Sequence, residues 1–238
     1  MDTPPLHTHD AVPPEHWTFV VPVRDASTAK TRLVAPVGVD HAELVRAMAL
    51  DVLGSVAATG ATLVLVTDDP VLVTVGTDGC EGVEGTARIR VIRDPARGLS
   101  AAIETGLAEV EPHAPAAVLL GDVPCLRTDD VIAALKATVA AAVEPPAPGA
   151  PAAFVRDAAG TGTTMLASTR RDRLRPRFGV GSAAAHALVA VEIGTRLQRL
   201  RRDVDTASDL DDAIRLGAGP RTTQVLAAGR PGGWLDRR

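Results

Sequence analysis

The chain has 238 residues, of which 46% are hydrophobic and only 2% aromatic, and its formal net charge is −4. This length suits one α/β domain with an aliphatic core, and the small negative charge argues against a nucleic-acid partner, which usually requires a basic surface. No apolar run approaches the roughly 18 to 20 residues of a membrane span, and the N-terminus lacks the regions of a signal peptide, so we expect no membrane contact and a cytoplasmic location.

The first third of the sequence predicts strand, loop, helix and strand. Residues 1–16 are polar and Pro-rich, which is typical of a disordered tail. An apolar strand over residues 18–23 is followed by a loop to residue 39. Asp40 and Glu43 have the form of a capping box, which predicts a helix from there to Gly60. Residues 61–67 are continuously apolar, as in a strand buried on both faces of a parallel sheet.

The same alternation continues through the rest of the chain. We expect a helix to begin within residues 71–75, a strand at 88–92, a helix at 99–110 and a strand at 116–120. Thr128 is expected to cap a helix that runs to Val143, and a Pro-rich loop covers residues 144–151. Strands at 152–156 and 163–168 follow, then helices at 182–190 and 208–216, the last ending at Gly217.

Strands that alternate with helices predict an α/β fold with a mostly parallel central sheet and helices on both faces. We expect one domain over residues 17–228, between the N-terminal tail and a flexible tail at 229–238. Ligands of such sheets bind beyond the carboxyl ends of the strands. The polar segments that follow the strands, at residues 24–32, 67–69, 93–98 and 121–122, should therefore face one crevice.

The loop after the first strand combines three cations, Arg24, Lys30 and Arg32, with several hydroxyls. Lys30 is one of only two lysines in the chain, and a compact point charge cannot always be replaced by arginine. Such a loop suits a triphosphate, although the glycines of a Walker A loop are missing. A solvated basic loop is the alternative interpretation.

Three carboxylates are candidate metal ligands. Asp122 ends an apolar strand and offers an oxygen ligand to Mg²⁺. Asp203 and Asp205 alternate, so an extended segment would turn both to one side, where one of them could share the metal. The alternatives are a turn or cap role for Asp122 and a cap of the last helix by Asp205, Thr206 or Ser208.

Two glycine-rich segments lie further along the chain. GTGTT (Gly160 to Thr164) is by itself a hairpin turn between two predicted strands. The second segment, FGVGSAAAH (Phe178 to His186), opens a helix, and helix N-termini with free amides bind phosphate or carboxylate. An N-cap at Ser182 is the simpler alternative.

Taken together, these segments resemble the 2-phospho-L-lactate or phosphoenolpyruvate guanylyltransferases of deazaflavin coenzyme F-420 biosynthesis. The resemblance covers about residues 17 to 220. It is carried by the AKTRL loop, GLSAAIETG (Gly98 to Gly106), LLGDVPCL (Leu119 to Leu126), GTGTT, RFGVGSAAAH and DVDTASDL (Asp203 to Leu210). It implies a Rossmann-like nucleotidyltransferase fold of the glycosyltransferase-A type, and an enzyme that transfers GMP from GTP to a small phosphorylated three-carbon acid and releases pyrophosphate.

The resemblance also implies roles for individual residues, with Mg²⁺ as cofactor and Lys30 and Asp122 as catalytic residues. By this reasoning the GTP phosphates contact Arg24, Lys30 and Arg32, and the guanosine lies near Gly98, Leu99 and Ser100. The metal is bound by Asp122 with Asp203 or Asp205, and the acid is bound by Thr163, Gly179 and Ser182. Ser100 departs from the Asn that is frequent there, and Asp25 places an acid within the basic loop.

Two other functions are compatible with the sequence. A molybdenum-cofactor guanylyl- or cytidylyltransferase would use the same first loop and the same Gly121-Asp122, but GTGTT and FGVGS suit a small acid phosphate better than a pterin. A non-catalytic nucleotide-binding module on the same fold is the alternative from another class. A homo-oligomer is compatible with the sequence.

Overall fold

The structure is a computed structural model, and it describes residues 12–76, 88–143 and 152–229. The strands within these ranges are β1 (Thr18–Val23), β2 (Thr62–Thr67), β3 (Ile89–Arg93), β4 (Ala116–Leu119), β5 (Ala153–Arg156), β6 (Thr163–Ser168) and β7 (Val191–Glu192). The α-helices are α1 (His41–Ala57), α2 (Leu99–Ala108), α3 (Thr128–Val143), α4 (Ser182–Ala187), α5 (Gln198–Arg201), α6 (Ala207–Leu216) and α7 (Pro220–Ala228).

The strands form one 7-stranded sheet in the order β3-β2-β1-β4-β6-β5-β7. β1 is parallel to β2 and to β4, β2 is parallel to β3, and β5 is parallel to β7. Only β6, of the described strands, runs against its neighbours, pairing antiparallel with both β4 and β5. The predicted mostly parallel sheet is therefore confirmed, and β5 and β6 form the predicted hairpin.

The two faces of the sheet are buried by different helices. Val21 of β1 and Leu63 of β2 pack into a cluster with apolar residues of α1 and α3. Their neighbours Val20 and Val64 face the other way, into a cluster with residues of α2 and α4. This alternation follows from the pleat of the strands, and it confirms the prediction of helices on both faces.

Gly106 lets α2 lie directly on the sheet. A Cβ at this position would collide with the side chains of Val20 and Val66. A larger residue would thus push the helix away from β1 and β2, and with it the loop that precedes the helix at the crevice.

Some of the predicted helix caps are present and one is not. The Asp40 side chain accepts from the Glu43 amide at 2.8 Å, and Thr206 forms a capping box with Asp209 at the start of α6. The cap predicted at Thr128 is wrong, because Thr128 is itself the first residue of α3 and its hydroxyl donates to the Ser55 carbonyl at 3.2 Å.

Several elements differ from the sequence-based expectation. The helix expected from residues 71–75 is a short 3-10 helix, Leu72–Gly76. The elements α5, α7 and β7 were not predicted, and neither was the 3-10 helix Pro14–His16 within the expected tail. Its neighbour Val12 packs against the core. The Pro-rich loop at 144–151 and residues 1–11 and 230–238 of the tails lie outside the described residues.

Across the described ranges, no helix combines the length and apolar character that crossing a membrane requires.

Candidate active site

The carboxyl ends of β1, β2, β3 and β4 lie at one edge of the sheet, and the polar segments that follow these strands contact one another there. The Asp25 amide donates to the Asp68 side chain at 3.1 Å, and the Ala26 amide donates to Asp69 at 3.0 Å. The Asp94 amide donates to the Thr67 carbonyl at 3.2 Å. The structure therefore brings the expected segments together into one crevice.

Asp69 holds the basic loop in place. Its carboxylate is fully buried and accepts the amides of Ala26, Val71 and Leu72 at 3.0–3.1 Å. It also pairs with Arg46 of α1 at 2.9 Å. Burial alone would raise the pKa of Asp69, but the donors outweigh it and lower the pKa. One ionised carboxylate thus ties the loop to α1 and to the segment after β2.

Asp25, the acid within the basic loop, shapes that loop. Its side chain accepts from both the amide and the hydroxyl of Ser27 at 2.8 Å. Its carbonyl accepts the amides of Thr28 and Ala29. These bonds form the tight turn that leads to Lys30. Asp25 therefore has a structural role in the loop, which explains an acid among the cations.

Lys30 lies between two of the candidate metal ligands. Its backbone has φ 55, a left-handed conformation that is uncommon for a residue other than glycine and is frequent at functional sites. Its Nζ donates to Asp122 Oδ2 and, at 2.6 Å, to Asp205 Oδ1. Burial works to lower the pKa of Lys30, but the two carboxylates outweigh it and raise the pKa to about 12. Lys30 is therefore a permanent cation.

The segment that carries Asp203 and Asp205 lies beside Asp122, although more than 80 residues separate them in the chain. The Val204 amide between them donates to the Asp122 carbonyl at 3.0 Å. Burial, followed by the charges of Asp122 and Asp157, raises the pKa of Asp203 to about 7. Burial would raise the pKa of Asp205 as well, but Lys30 lowers it. Asp203 therefore holds a proton more readily than Asp205 does.

The arrangement of these carboxylates can be compared with the ligand set that a metal ion needs. Asp122 Oδ1 is buried and has no hydrogen-bond partner among the described residues, and an oxygen in this state suits a cation. The described residues contain no group of three His, Cys, Asp or Glu side chains close enough to hold an ion by themselves. Mg²⁺ at nucleotide sites usually takes one or two carboxylates and completes its shell with phosphates and waters. The residues present fit such a partial ligand set.

Two adjoining cavities lie beside the loop. The first, of about 220 Å³, is lined by residues that include Arg24, Lys30, Leu99 and Asp122. The second, of about 250 Å³, shares Arg24 and Leu99 and adds Gly98. Gly98 is the N-cap of α2 and has φ 91, in the left-handed region. The exposed Ser100 lines neither of these cavities.

Arg32 lies at the outer rim. Its side chain is 75% exposed, and its Nη2 pairs with Asp205 Oδ2 at 3.2 Å. The ion pair is solvated and therefore weak, which leaves the guanidinium available to another anion.

Thr163 begins β6 at the same edge of the sheet as Asp122. The two elements are adjacent because the Leu120 amide donates to the Thr164 carbonyl at 3.0 Å. The Gly179–Ser182 segment is close by, since the Ala183 amide donates to the Thr161 carbonyl at 3.1 Å. The three predicted acceptor residues therefore lie near one another, at the carboxyl end of β4 and the start of β6.

Ser182 is not the helix cap of the simpler alternative. Gly181, with φ 72, occupies the N-cap, and no side chain caps the helix. Ser182 is buried, and its amide donates to the Gly179 carbonyl at 3.1 Å. α4 also ends at Ala187 instead of the expected residue 190.

Sequence reasoning assigned no individual role to four residues of this region: Arg46, Asp69, Asp157 and His186. Asp157 is buried and accepts the amides of Thr161 and Gly162 at 2.9 and 2.7 Å. The signal for Asp157 was an acid directly after β5, and the signal for Asp69 was an acid two residues after β2. Nothing in the sequence signalled the partners of Arg46 and His186.

The fold has solved counterparts of low sequence identity. A putative nucleotide-diphospho-sugar transferase from Desulfovibrio desulfuricans G20 is 13% identical, with a TM-score of 0.51, covering 88% of this chain and 98% of its own. A 4-diphosphocytidyl-2C-methyl-D-erythritolsynthase from Anaerococcus prevotii is 11% identical, with a TM-score of 0.52 and coverages of 85% and 96%. At this identity the likeness shows the fold, which is the Rossmann-like nucleotidyltransferase fold.

Curated relatives are much more similar in sequence. A phosphoenolpyruvate guanylyltransferase of Salinispora arenicola is 40% identical over 220 residues, which span 90% of this chain and 95% of the relative. Another, from Geodermatophilus obscurus, is 41% identical over 229 residues, with coverages of 91% and 97%. The fold, the site and these relatives define the class, and the chain is a nucleotidyltransferase.

The family follows from a match to a family model. The family model described as "Guanylyl transferase CofC like" matches residues 17–228. The chain belongs to this CofC-like guanylyltransferase family, as the sequence motifs had indicated.

Proposed function

We propose that the protein transfers GMP from GTP to phosphoenolpyruvate, or to 2-phospho-L-lactate, with release of pyrophosphate, in deazaflavin coenzyme F-420 biosynthesis. The observation that carries the proposal is the convergence of Lys30, Asp122 and Thr163 at one sheet edge, beside a crevice lined by Arg24 and Leu99. Relatives named phosphoenolpyruvate guanylyltransferase support the choice of acceptor.

The donor nucleotide would occupy the two adjoining cavities. Arg24 lines both, and Lys30 lines the first, so the triphosphate would meet two cations within a short stretch of chain. The high pKa of Lys30 keeps its charge constant at physiological pH. Gly98 and Leu99 would lie near the guanosine, and the exposed Arg32 at the rim would contact the phosphates from outside.

Magnesium would be held by Asp122 together with Asp203 or Asp205. The unpartnered Asp122 Oδ1 supports this assignment. When bound, the ion would neutralise phosphate charge and orient the triphosphate.

The acceptor would be bound by Thr163, Gly179 and Ser182. One oxygen of its phosphate attacks the α-phosphorus of GTP in line with the leaving group. A new P–O bond forms there, the bond from the α-phosphorus to the bridging oxygen breaks, and the electron pair leaves with pyrophosphate. A phosphate monoester is already an anion near pH 7, so the step requires positioning and charge neutralisation and does not require a strong general base.

A pyrophosphate-release assay over a matrix of nucleotides and phospho-acids, with and without Mg²⁺, tests the proposal. We expect release only when GTP and a three-carbon phospho-acid are both present. Lys30→Met should abolish most of this activity. The other lysine of the chain, Lys136, is exposed on α3, so Lys136→Met is a matched control that should retain wild-type rates. No release with any pairing would overturn the proposal.

A further inference from the structure

His186 makes two hydrogen bonds inside the acceptor region. The ring is fully buried and contacts the rings of Phe178 and Phe154, with centroids at 5.0 and 5.9 Å. Its Nε2 lies 2.9 Å from the Arg177 amide nitrogen. Its Nδ1 lies 2.8 Å from the Thr163 hydroxyl.

These partners fix the tautomer of the ring. A backbone amide can only donate, so Nε2 must accept. Burial, followed by the charge of Arg177, lowers the pKa of His186 to about 4, so the ring is neutral at physiological pH. A neutral imidazole carries one proton, which must therefore be on Nδ1. His186 Nδ1–H donates to Thr163 Oγ1.

The direction of this bond decides what Thr163 can do. Because Oγ1 accepts from His186, its own proton remains available to another acceptor. No acceptor among the described residues takes this proton. A donor that is buried and unused costs stability unless a ligand or water satisfies it. Thr163 lies on β6 beside the segment that ends in Asp122, where the acceptor's anion would be.

We propose that His186 is a positioning residue that orients the Thr163 hydroxyl so that it donates to an anionic oxygen of the acceptor. This inference rests on the proposed function, because it assigns a role within the acceptor site. His186 does not touch the substrate and transfers no proton. Its contribution is to keep Thr163 a donor by supplying the other hydrogen bond of the hydroxyl.

Two substitutions of His186 distinguish its hydrogen bond to Thr163 from its hydrogen bond to the Arg177 amide. An asparagine amide can lie where Nδ1 does, so His186→Asn keeps a donor to Thr163, whereas His186→Gln places its amide near Nε2 and loses that donor. We expect His186→Gln and Thr163→Val each to lower kcat/KM for phosphoenolpyruvate by about 10- to 100-fold, as for a lost hydrogen bond to a charged group. We expect the KM for GTP to stay within about twofold and His186→Asn to recover most of the loss.

The double variant tests whether His186 acts through Thr163. We expect His186→Gln with Thr163→Val to be no worse than Thr163→Val alone, within about twofold, because the second change removes nothing further. Losses that multiply, or an equal rise in the KM for GTP, would mean that His186 only maintains packing, and would overturn the inference.

A measurement on the wild-type protein tests the inference even if the variants do not fold. Nitrogen-15 NMR of the histidine ring should show Nδ1 protonated and Nε2 unprotonated at pH 7, with the Nδ1–H signal shifting when phosphoenolpyruvate is added without nucleotide. Protonation at Nε2, or no shift at saturating phosphoenolpyruvate, would overturn the inference. Failure of the proposed function would appear separately, as absence of turnover in the wild-type chain.

Discussion

Replacing Asp69 by asparagine should loosen the basic loop and destabilise the fold. Asp69 Oδ1 accepts two amides, from Val71 and Leu72, so the asparagine oxygen should occupy that position. The new NH2 group then faces the Ala26 amide and Arg46, which are both donors. A buried ion pair that loses one partner costs about 3 to 5 kcal/mol. The side chain of Arg46 is 21% exposed and is partly resolvated, so we expect the lower end, about 3 kcal/mol.

Chemical and thermal unfolding measure this loss. For a chain of this size about 3 kcal/mol corresponds to a fall in Tm of about 6 to 12 °C. The KM for GTP should rise as well, because the Ala26 amide anchors the loop that carries Lys30. The neighbouring exposed Asp68→Asn is the control, since asparagine can still accept from Asp25, and it should cost less than about 0.5 kcal/mol.

Two outcomes would refute this reasoning. The first is a stability of Asp69→Asn within about 1 kcal/mol of the wild type. The second is an equal loss in Asp68→Asn. Because the folded pKa of Asp69 is lowered, its contribution should be present above its unfolded pKa of about 3.9 and should disappear as the pH falls through the folded value.

Three further predictions follow from single side chains. Asp122→Asn should lower turnover by about 100-fold or more with an unchanged circular dichroism spectrum, and wild-type pyrophosphate release would contradict the metal assignment. The pKa of His186 falls from 6.5 to about 4 on folding. The free energy of unfolding should therefore fall by up to about 3 kcal/mol as the pH is lowered from 6.5 to 4. An equally steep loss in His186→Asn would contradict this. Burial raises the pKa of the Cys125 thiol to about 11, so in Cys80→Ser no thiol should react with Ellman's reagent before unfolding, and rapid labelling would show that Cys125 is accessible.

The sequence was sufficient where one strong local pattern decides the structure. The apolar runs of β1, β2 and β4 are buried strands in the predicted order along the chain. Because parallel strands end at one edge of a sheet, the meeting of the basic loop with Gly121-Asp122 followed from the fold class alone. The alternation of Asp203 and Asp205 suggested that one of them could share a metal with Asp122, and the structure places their segment beside it.

The elements that were missed have weak local patterns. β7 is only two residues long, Val191–Glu192. α7 begins at Pro220 and buries only Thr222 and Leu226. It is held instead by Asp51 of α1, which accepts the Thr222 amide at 2.9 Å. Such a helix depends on tertiary contacts, which hydrophobic periodicity does not report.

The hydrogen-bond partners at the site were also beyond sequence reasoning. Arg46 and Asp69 are 23 residues apart, and Thr163 and His186 are likewise 23 apart. Each pair meets only because β-strands and helices pack as they do. The ion pairs of Lys30 with Asp122 and Asp205 were also unexpected. The sequence had suggested that Lys30 binds phosphate and that the two carboxylates bind a metal ion, and so it did not suggest that they bind one another.

In the proposed reaction the acceptor's phosphate becomes joined to the α-phosphorus of GTP. Phosphoenolpyruvate whose phosphate oxygens are labelled with oxygen-18 tests it most directly, with GTP, Mg²⁺ and the wild-type enzyme. Mass spectrometry should find the label in a guanylylated acid, including the new bridging oxygen, and the released pyrophosphate should be unlabelled. Labelled pyrophosphate, or the absence of any joined product, would contradict the account.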